Sequence, residues 1–386
     1  MNWSVQIGRI LGIPIRLHIS FLVILVLFIY LFAGYEDEIF YKTTGIVLGF
    51  GGMNISFAMK LLFSTITSLF FFSTILIHEL SHSYVARNNG LKIESITLFV
   101  FGGVAQMENI PHDPKLELKM AAAGPGLSLF IGLLSHTIYD LFGPVVLEDA
   151  GMITKNVILI TLGIIAYFNI AIALFNMLPA FPMDGGRIFR ALLAFWLPYL
   201  EATRTAVAIG KTFALFMGLF SIMTWNFILI FIAFFIYIGA QNEEKDIFFS
   251  VSLEGITVAD VMTSVPDVIY IPPDWTLSQL VDVMFRFKHM GYPVQEELDR
   301  APQGVITFHD VQKVPKKQHD EVKVKDVMSK KIISVNPQIN AYNALHILAK
   351  NRISRLLVIS NNRIKGIITM KDILRKMEFM NISLDD

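Results

Sequence analysis

The 386-residue chain has no cysteine, so no disulfide can staple it and no thiolate can bind a metal anywhere along it. Any metal site must be built from His, Asp and Glu. Charge is scarce too: 17% of residues are Asp, Glu, Lys or Arg, and the formal net charge is zero. No basic patch stands out, which excludes nucleic acid as a partner, because phosphate binding needs a surplus of Lys and Arg on one face. The chain before the first apolar run lacks the short apolar core and small-residue cleavage site of a removable signal, so the first hydrophobic segment is expected to stay. What fills the space left by charge is apolar. Hydrophobic residues make up 54% of the chain, with 32 Phe, which is a composition suited to a bilayer.

The long uncharged runs concentrate in residues 1–242, which we read as a transmembrane domain. Residues 243–255 read as a linker, and 256–315 and 316–380 as two small α/β repeats of cytosolic composition. A spanning helix needs about 20 mostly apolar residues. That ruler predicts six spans, near Leu17–Gly34, Leu61–Ala86, Met120–Leu141, Ile153–Leu178, Glu201–Met223 and Trp225–Gln241. Thr43–Ala58 is apolar but short and rich in Gly, and reads as an interfacial segment. Arg9, Arg16, Arg87, Lys92, Lys115, Lys119, Arg187, Arg190 and Arg204 flank the span ends on one side, which the positive-inside rule makes cytoplasmic. Both termini then face the cytoplasm of a cell-membrane protein. Leu91–Glu108 carries β-branched and aromatic residues around Gly102 and Gly103, which predicts two short strands with a tight turn. At membrane depth such strands survive only beside protein or trapped water, so they are expected to line a site.

His78-Glu79-Leu80-Ser81-His82 is an H-E-x-x-H string near the end of a long apolar helix. Positions four apart share a helix face, so both imidazoles can grip one zinc ion while Glu79 serves as general base toward water. Ionisable residues in an apolar span are costly and functional by default, although a solvated helix end is the bland alternative. Two His leave a tetrahedral site one protein ligand short. Asp184, in Asn176-Met177-Leu178-Pro179-Ala180-Phe181-Pro182-Met183-Asp184-Gly185-Gly186-Arg187, is the best candidate, because Pro179 and Pro182 break the helix and can aim a carboxylate inward. Its competing role is simply to cap the following short helix.

Four segments together, namely His78 to Ser83 with Ala86, Leu98 to Gly103, Ala123-Gly124-Pro125 and Asn176 to Arg187, resemble the site-2 proteases over about 200 residues in matching order. The resemblance implies a polytopic α-helical membrane protein with one zinc (Zn2+) on His78, His82 and Asp184, and Glu79 as the catalytic base. It also implies an intramembrane endopeptidase that cleaves transmembrane segments of membrane proteins, with Phe101, Gly102, Gly103 and Asn176 touching the substrate. One departure stands out. The family often has Asn four residues after the Gly of its Gly-Pro step, where this chain has Ser128. A substrate helix must unwind before it is cut, and an added strand beside Phe99–Gly103 would give it the hydrogen bonds that lipid cannot.

The tail repeats itself. Val258-Ala259-Asp260-Val261-Met262-Thr263 matches Val324-Lys325-Asp326-Val327-Met328-Ser329, and Gly304 to Asp310 matches Gly366 to Asp372. Each copy is a small α/β unit expected to bury a face against its twin. The pair resembles tandem cystathionine-β-synthase (CBS) domains, in which a Thr and an Asp of the strand-to-helix turn hold the ribose of an adenine nucleotide. Thr307, Asp310, Thr369 and Asp372 match that pattern, and imply ATP, ADP or AMP as ligand and pairing of two chains into a homodimer. Ordinary helix capping explains the same residues without a nucleotide. A CBS-gated transporter or channel is the alternative function, yet the inverted repeats and paired broken helices of a transporter are missing from the sequence.

Overall fold

The computed structural model describes residues 3–100, 102–107, 111–142, 153–297 and 301–382. The chain forms two compact units, Met1–Lys245 and Asp246–Asp386.

The first unit opens with a hairpin the sequence reading did not anticipate: β1 (Ser4–Ile10) and β2 (Ile13–His18), antiparallel, with Ile10 opposite Ile13. Leu11 and Gly12 make the two-residue connection at φ 50° and 77°, the left-handed geometry that a tight hairpin requires. Helix α1 (Ile19–Gly34) follows directly, its first turn capped by the His18 ring, so the first predicted span loses its start to β2. Then come α2 (Glu38–Thr44), α3 (Phe57–Asn88), β3 (Ile93–Phe99), β4 (Gly102–Met107), α4 (Pro114–Leu141), α5 (Ile153–Asn176), α6 (Asp184–Leu193), α7 (Tyr199–Met223) and α8 (Phe227–Ser252). Among the described residues, five helices, α3, α4, α5, α7 and α8, are long and apolar enough to cross a membrane, while α1 is shorter at 16 residues. At 1.5 Å per residue α1 reaches about 24 Å, less than the roughly 30 Å hydrocarbon core.

The predicted strand pair is part of a larger sheet with order β1-β2-β3-β4, in which β2 and β3 run parallel and β3 and β4 antiparallel. Ile13, Ile15 and Ile96 are buried on its face toward Leu76 and Leu80 of α3. A ring cluster of Phe28, Phe32, Phe71, Phe72 and Phe168 ties α1, α3 and α5 together. The segment expected to lie at the interface packs on the helices. Past α2 the chain runs as irregular coil, and Ile46, Leu48, Phe50 and Met53 are buried against Phe32, Tyr139, Leu159, Ile160 and Ile164. The Tyr139 hydroxyl donates to the Gly45 carbonyl at 2.7 Å, one of the protein partners that non-helical backbone needs when water is scarce.

The second unit contains β5 (Thr263–Ser264), α9 (Leu277–Phe287), β6 (Gly291–Val294), β7 (Gly304–Thr307), α10 (Phe308–Gln312), α11 (Val324–Val327), β8 (Ser334–Val335), α12 (Ala341–Asn351), β9 (Arg355–Ser360), β10 (Arg363–Thr369) and α13 (Met370–Ile382). Its two repeats interlock. β5 of the first copy joins the sheet of the second, in the order β5-β10-β9-β8, while Ser329 of the second copy bridges Val305 on β7 of the first. Each copy has a core of its own, one around Leu277, Leu280, Val294 and Ile306, the other around Leu345, Leu348, Leu356 and Ile368.

Candidate metal centre and nucleotide cleft

Helix α3 delivers His78 and His82 one turn apart, both buried, with ring centroids 4.9 Å apart and ring planes at 79°. Their outer nitrogens are held by α4. His82 Nδ1 donates to the Met120 carbonyl at 2.6 Å, which fixes the ring and turns Nε2 toward His78 and Asp184. His78 Nδ1 lies 2.9 Å from Ser128 Oγ. Ser128, a departure from the resembled pattern in the sequence, thus orients an imidazole.

Asp184 arrives from a different direction. Helix α5 ends at Asn176, a turn containing Pro179 and Pro182 follows, and α6 begins at Asp184. The residue preceding α6, Met183, gives no side-chain cap, and the Asp184 carboxylate turns to the imidazoles: Oδ2 is 3.3 Å from His78 Nε2 and 3.2 Å from His82 Nε2. The two Nε2 atoms are themselves 3.2 Å apart. Two buried imidazole nitrogens and one half-buried carboxylate oxygen gather in a near-equilateral triangle, a donor set suited to a shared cation. Bonds of about 2.0–2.1 Å to tetrahedral zinc imply ligand separations of about 3.3–3.4 Å, so the triangle fits that ion. Among the described residues, this is the one group of three or more His, Asp or Glu side chains with such geometry.

Two glycines make the close packing possible. A β-carbon on Gly124 would lie 2.2 Å from His82 Nε2 and 2.5 Å from His78 Nε2, so α4 can press on the imidazoles only because that position has none. A β-carbon on Gly103 would lie 2.3 Å from Glu79 Cγ, which sets β4 directly beside the carboxylate. Of the residues expected to touch substrate, Gly102 and Gly103 open β4, Asn176 closes α5 at the start of the turn to Asp184, and Phe101 lies outside the described residues. The strand order puts β4 at the edge of its sheet.

Arg190, counted by sequence among the cytoplasmic flanking charges, is only 2% exposed. Its guanidinium bonds the buried Glu117 carboxylate through Nε at 3.0 Å and through Nη2, and Glu243 through Nη1 at 2.6 Å. No local sequence signal marks Glu117, Met120 or Arg190, whose partners lie 38 to 82 residues away.

In the second unit, the hydroxyl and amide of Thr307 donate to Asp310 Oδ2 at 2.6 and 3.1 Å, and those of Thr369 to Asp372 Oδ2 at 2.6 and 2.9 Å. Both pairs therefore form capping boxes. Thr307 and Asp310 also line a cavity of about 540 Å³ together with Ser329, Lys331, Arg352 and Arg355. Burial pushes the Asp310 carboxyl up, but the Thr307 hydroxyl, Lys313 and the Thr307 amide outweigh it and hold the group below its ordinary range. Burial lowers the pKa of Arg355, whose partial charge compensation comes from Tyr292 and Asp372.

Residues 66–224 match peptidase family M50, and residues 258–317 and 324–378 each match the CBS domain. Zinc metalloprotease MJ0392 of Methanocaldococcus jannaschii is 34% identical over 382 residues, covering 99% of this chain and 98% of that protein. The chain belongs to peptidase family M50. This protease is also 30% identical over 145 residues to stage IV sporulation protein FB of Bacillus subtilis, which covers 37% of this chain and 46% of that one. The solved site-2 protease from Methanocaldococcus jannaschii aligns at a TM-score of 0.41 with 36% identity, covering 63% of this chain and 95% of the other. The protease is thus a multi-pass membrane zinc metallo-endopeptidase of the site-2 kind with tandem CBS domains, as the resemblance implied, and membership sets aside the transporter or channel alternative. Intramembrane proteolysis is the function of its family.

Proposed function

We propose that His78, His82 and Asp184 hold one zinc ion, that Glu79 is the general base, and that the protease cuts transmembrane segments of membrane proteins. The observation that supports this best is the triangle of His78 Nε2, His82 Nε2 and Asp184 Oδ2 with sides of 3.2 to 3.3 Å. Zinc, when bound, supplies Lewis-acid polarisation of the scissile carbonyl and makes water acidic enough to attack near neutrality. Glu79, one residue after His78 and beside Gly103, takes the proton from the attacking water and returns it to the leaving amine. The edge position of β4 suits pairing with an unwound substrate as an added strand, while Asn176 stands where the turn carrying Asp184 begins. A Glu79→Gln enzyme that retains zinc and still cleaves a single-span substrate in liposomes would exclude this assignment.

The cavity at Thr307 and Asp310 supports adenine nucleotide binding, since it joins a Thr–Asp pair suited to a ribose with Lys331, Arg352 and Arg355, which suit phosphate. Thr369 and Asp372 repeat the pair and would form a second cleft. Regulation requires that the nucleotide prefer one conformation over another. Unchanged activity and unchanged melting with ATP, ADP and AMP at millimolar levels would remove it. The Lys and Arg distribution supports a cytoplasmic position for both termini, which protease accessibility in oriented vesicles tests. By the same resemblance two chains would pair through the CBS domains, which light scattering of the full chain in detergent decides.

A further inference from the structure

The buried charges around Arg190 are not used by the mechanism above, yet they join the elements on which the metal centre is built. Arg190 lies six residues after Asp184 on α6, about 9 Å along the axis. Its guanidinium covers the Phe181 ring at 4.9 Å, within the turn that leads to Asp184, and the Tyr199 ring at 5.1 Å. It therefore touches the Asp184 turn on one side and grips the helix after it on the other. Its principal partner, Glu117, is 1% exposed and also accepts from the Tyr199 hydroxyl at 2.9 Å. Glu117 belongs to α4, three residues before the carbonyl that orients His82 and seven before the glycine packed on both imidazoles.

The carboxylate and the imidazoles are thus carried by α6 on one side and by α3 braced on α4 on the other, and the Arg190–Glu117 pair is a charged connection between the two. We propose that Arg190 is a positioning residue for the metal centre: its fork-shaped bond to Glu117, steadied by Glu243, sets α6 against α4 so that Asp184 meets His78 and His82. Planarity is the reason for arginine here. A guanidinium engages one carboxylate through two nitrogens and a second through the third, which an ammonium cannot reproduce at fixed angles. Glu243, on α8, is the partly exposed member of the group, with its side chain 29% accessible. It is the place where the arrangement can be loosened without stranding a fully buried charge.

The inference rests on the reading of Asp184 as a zinc ligand, and its test separates the two. Zinc affinity by chelator competition, melting temperature, kcat and KM on a single-span substrate are measured for wild type, Asp184→Asn, Arg190→Lys and Glu243→Gln, all as full chains in detergent. Supporting groups behind metal ligands are worth about 10- to 100-fold in affinity or activity, so Arg190→Lys should weaken zinc binding and lower kcat at saturating zinc within that range, with KM nearly unchanged. Glu243→Gln should move both quantities in the same direction by a smaller factor, and remains informative if Arg190→Lys does not fold. If Asp184→Asn loses zinc while every folded variant of Arg190 and Glu243 keeps wild-type affinity and kcat, the positioning role is overturned. If Asp184→Asn itself binds zinc like wild type, the ligand reading fails instead, whatever Arg190 does.

Discussion

Two carboxylates open short helices in this protein and end up with opposite partners. Asp310, at the start of α10, accepts hydrogen bonds from the backbone and hydroxyl of its own Thr307 and so completes a cap. Asp184, at the start of α6, leaves the preceding residue without a side-chain cap and turns to two imidazoles more than 100 residues away in sequence. In the second unit a cap is the cheapest way to satisfy free amides at a helix start. In the membrane unit the Asp184 carboxylate instead stands within 3.3 Å of two buried imidazoles, and Met183 offers no side-chain cap. A carboxylate in the first turn of a short helix thus finds its partner locally in one unit and across the chain in the other.

The strongest way to break this comparison is to neutralise the carboxylates in turn. Glu79→Gln and Asp184→Asn should each abolish cleavage, with general-base loss alone costing about 10²–10⁴-fold. Only the Asp184 variant should lose zinc as measured by metal content, whereas Asp310→Asn should leave zinc untouched. A smaller effect is expected at Gly124: alanine there must displace both imidazoles, and overpacking of this kind costs about 1–3 kcal/mol. Thermal unfolding with and without chelator should show that loss mainly in the metal-loaded protein. Thr307→Ala removes a cap and should destabilise the second unit by about 0.5–2 kcal/mol, read by hydrogen exchange at α10, with zinc and basal cleavage unchanged.

The smallest effect concerns acid. The folded-state pKa of Asp310 lies below its ordinary value of 3.8, so the stability it contributes is complete above about pH 4 and is lost as pH falls through the folded value. Thr307→Ala removes the first of the hydrogen bonds that lower it, and the acid limb of unfolding in the second unit should flatten.

Much of the catalytic side was legible because its signals are local. His78 and His82 share a helix face by spacing alone, and the prolines around Asp184 announce a broken helix. Legibility fell where packing is long-range. Arg190 carries no mark that separates it from a flanking charge, because its burial depends on Glu117, 73 residues away. Residues 45–53 look short and interfacial, yet they are accepted into the bundle by Phe32, Tyr139 and Leu159, which no window on that segment includes. The β1–β2 hairpin lies ahead of the first apolar run, where Ile13 and Ile15 alternate with Pro14 and Arg16, too short a pattern to stand against the hydrophobic segment behind it. Ser128 was visible only as a missing Asn, and its contact with His78 gives it a use. In the second unit the Thr–Asp pairs were legible as caps and as ribose binders alike, and their geometry serves the first role directly.

Gly124 carries a consequence for how a peptide bond meets the enzyme. With α4 pressed against both imidazoles and no volume for even a methyl group between them, that flank is closed to any incoming chain. Glu79 meanwhile stands against Gly103 of β4. With that flank taken up by α4, a peptide bond that meets Glu79 as proposed arrives from the side of β4, where Gly103 leaves room for the carboxylate.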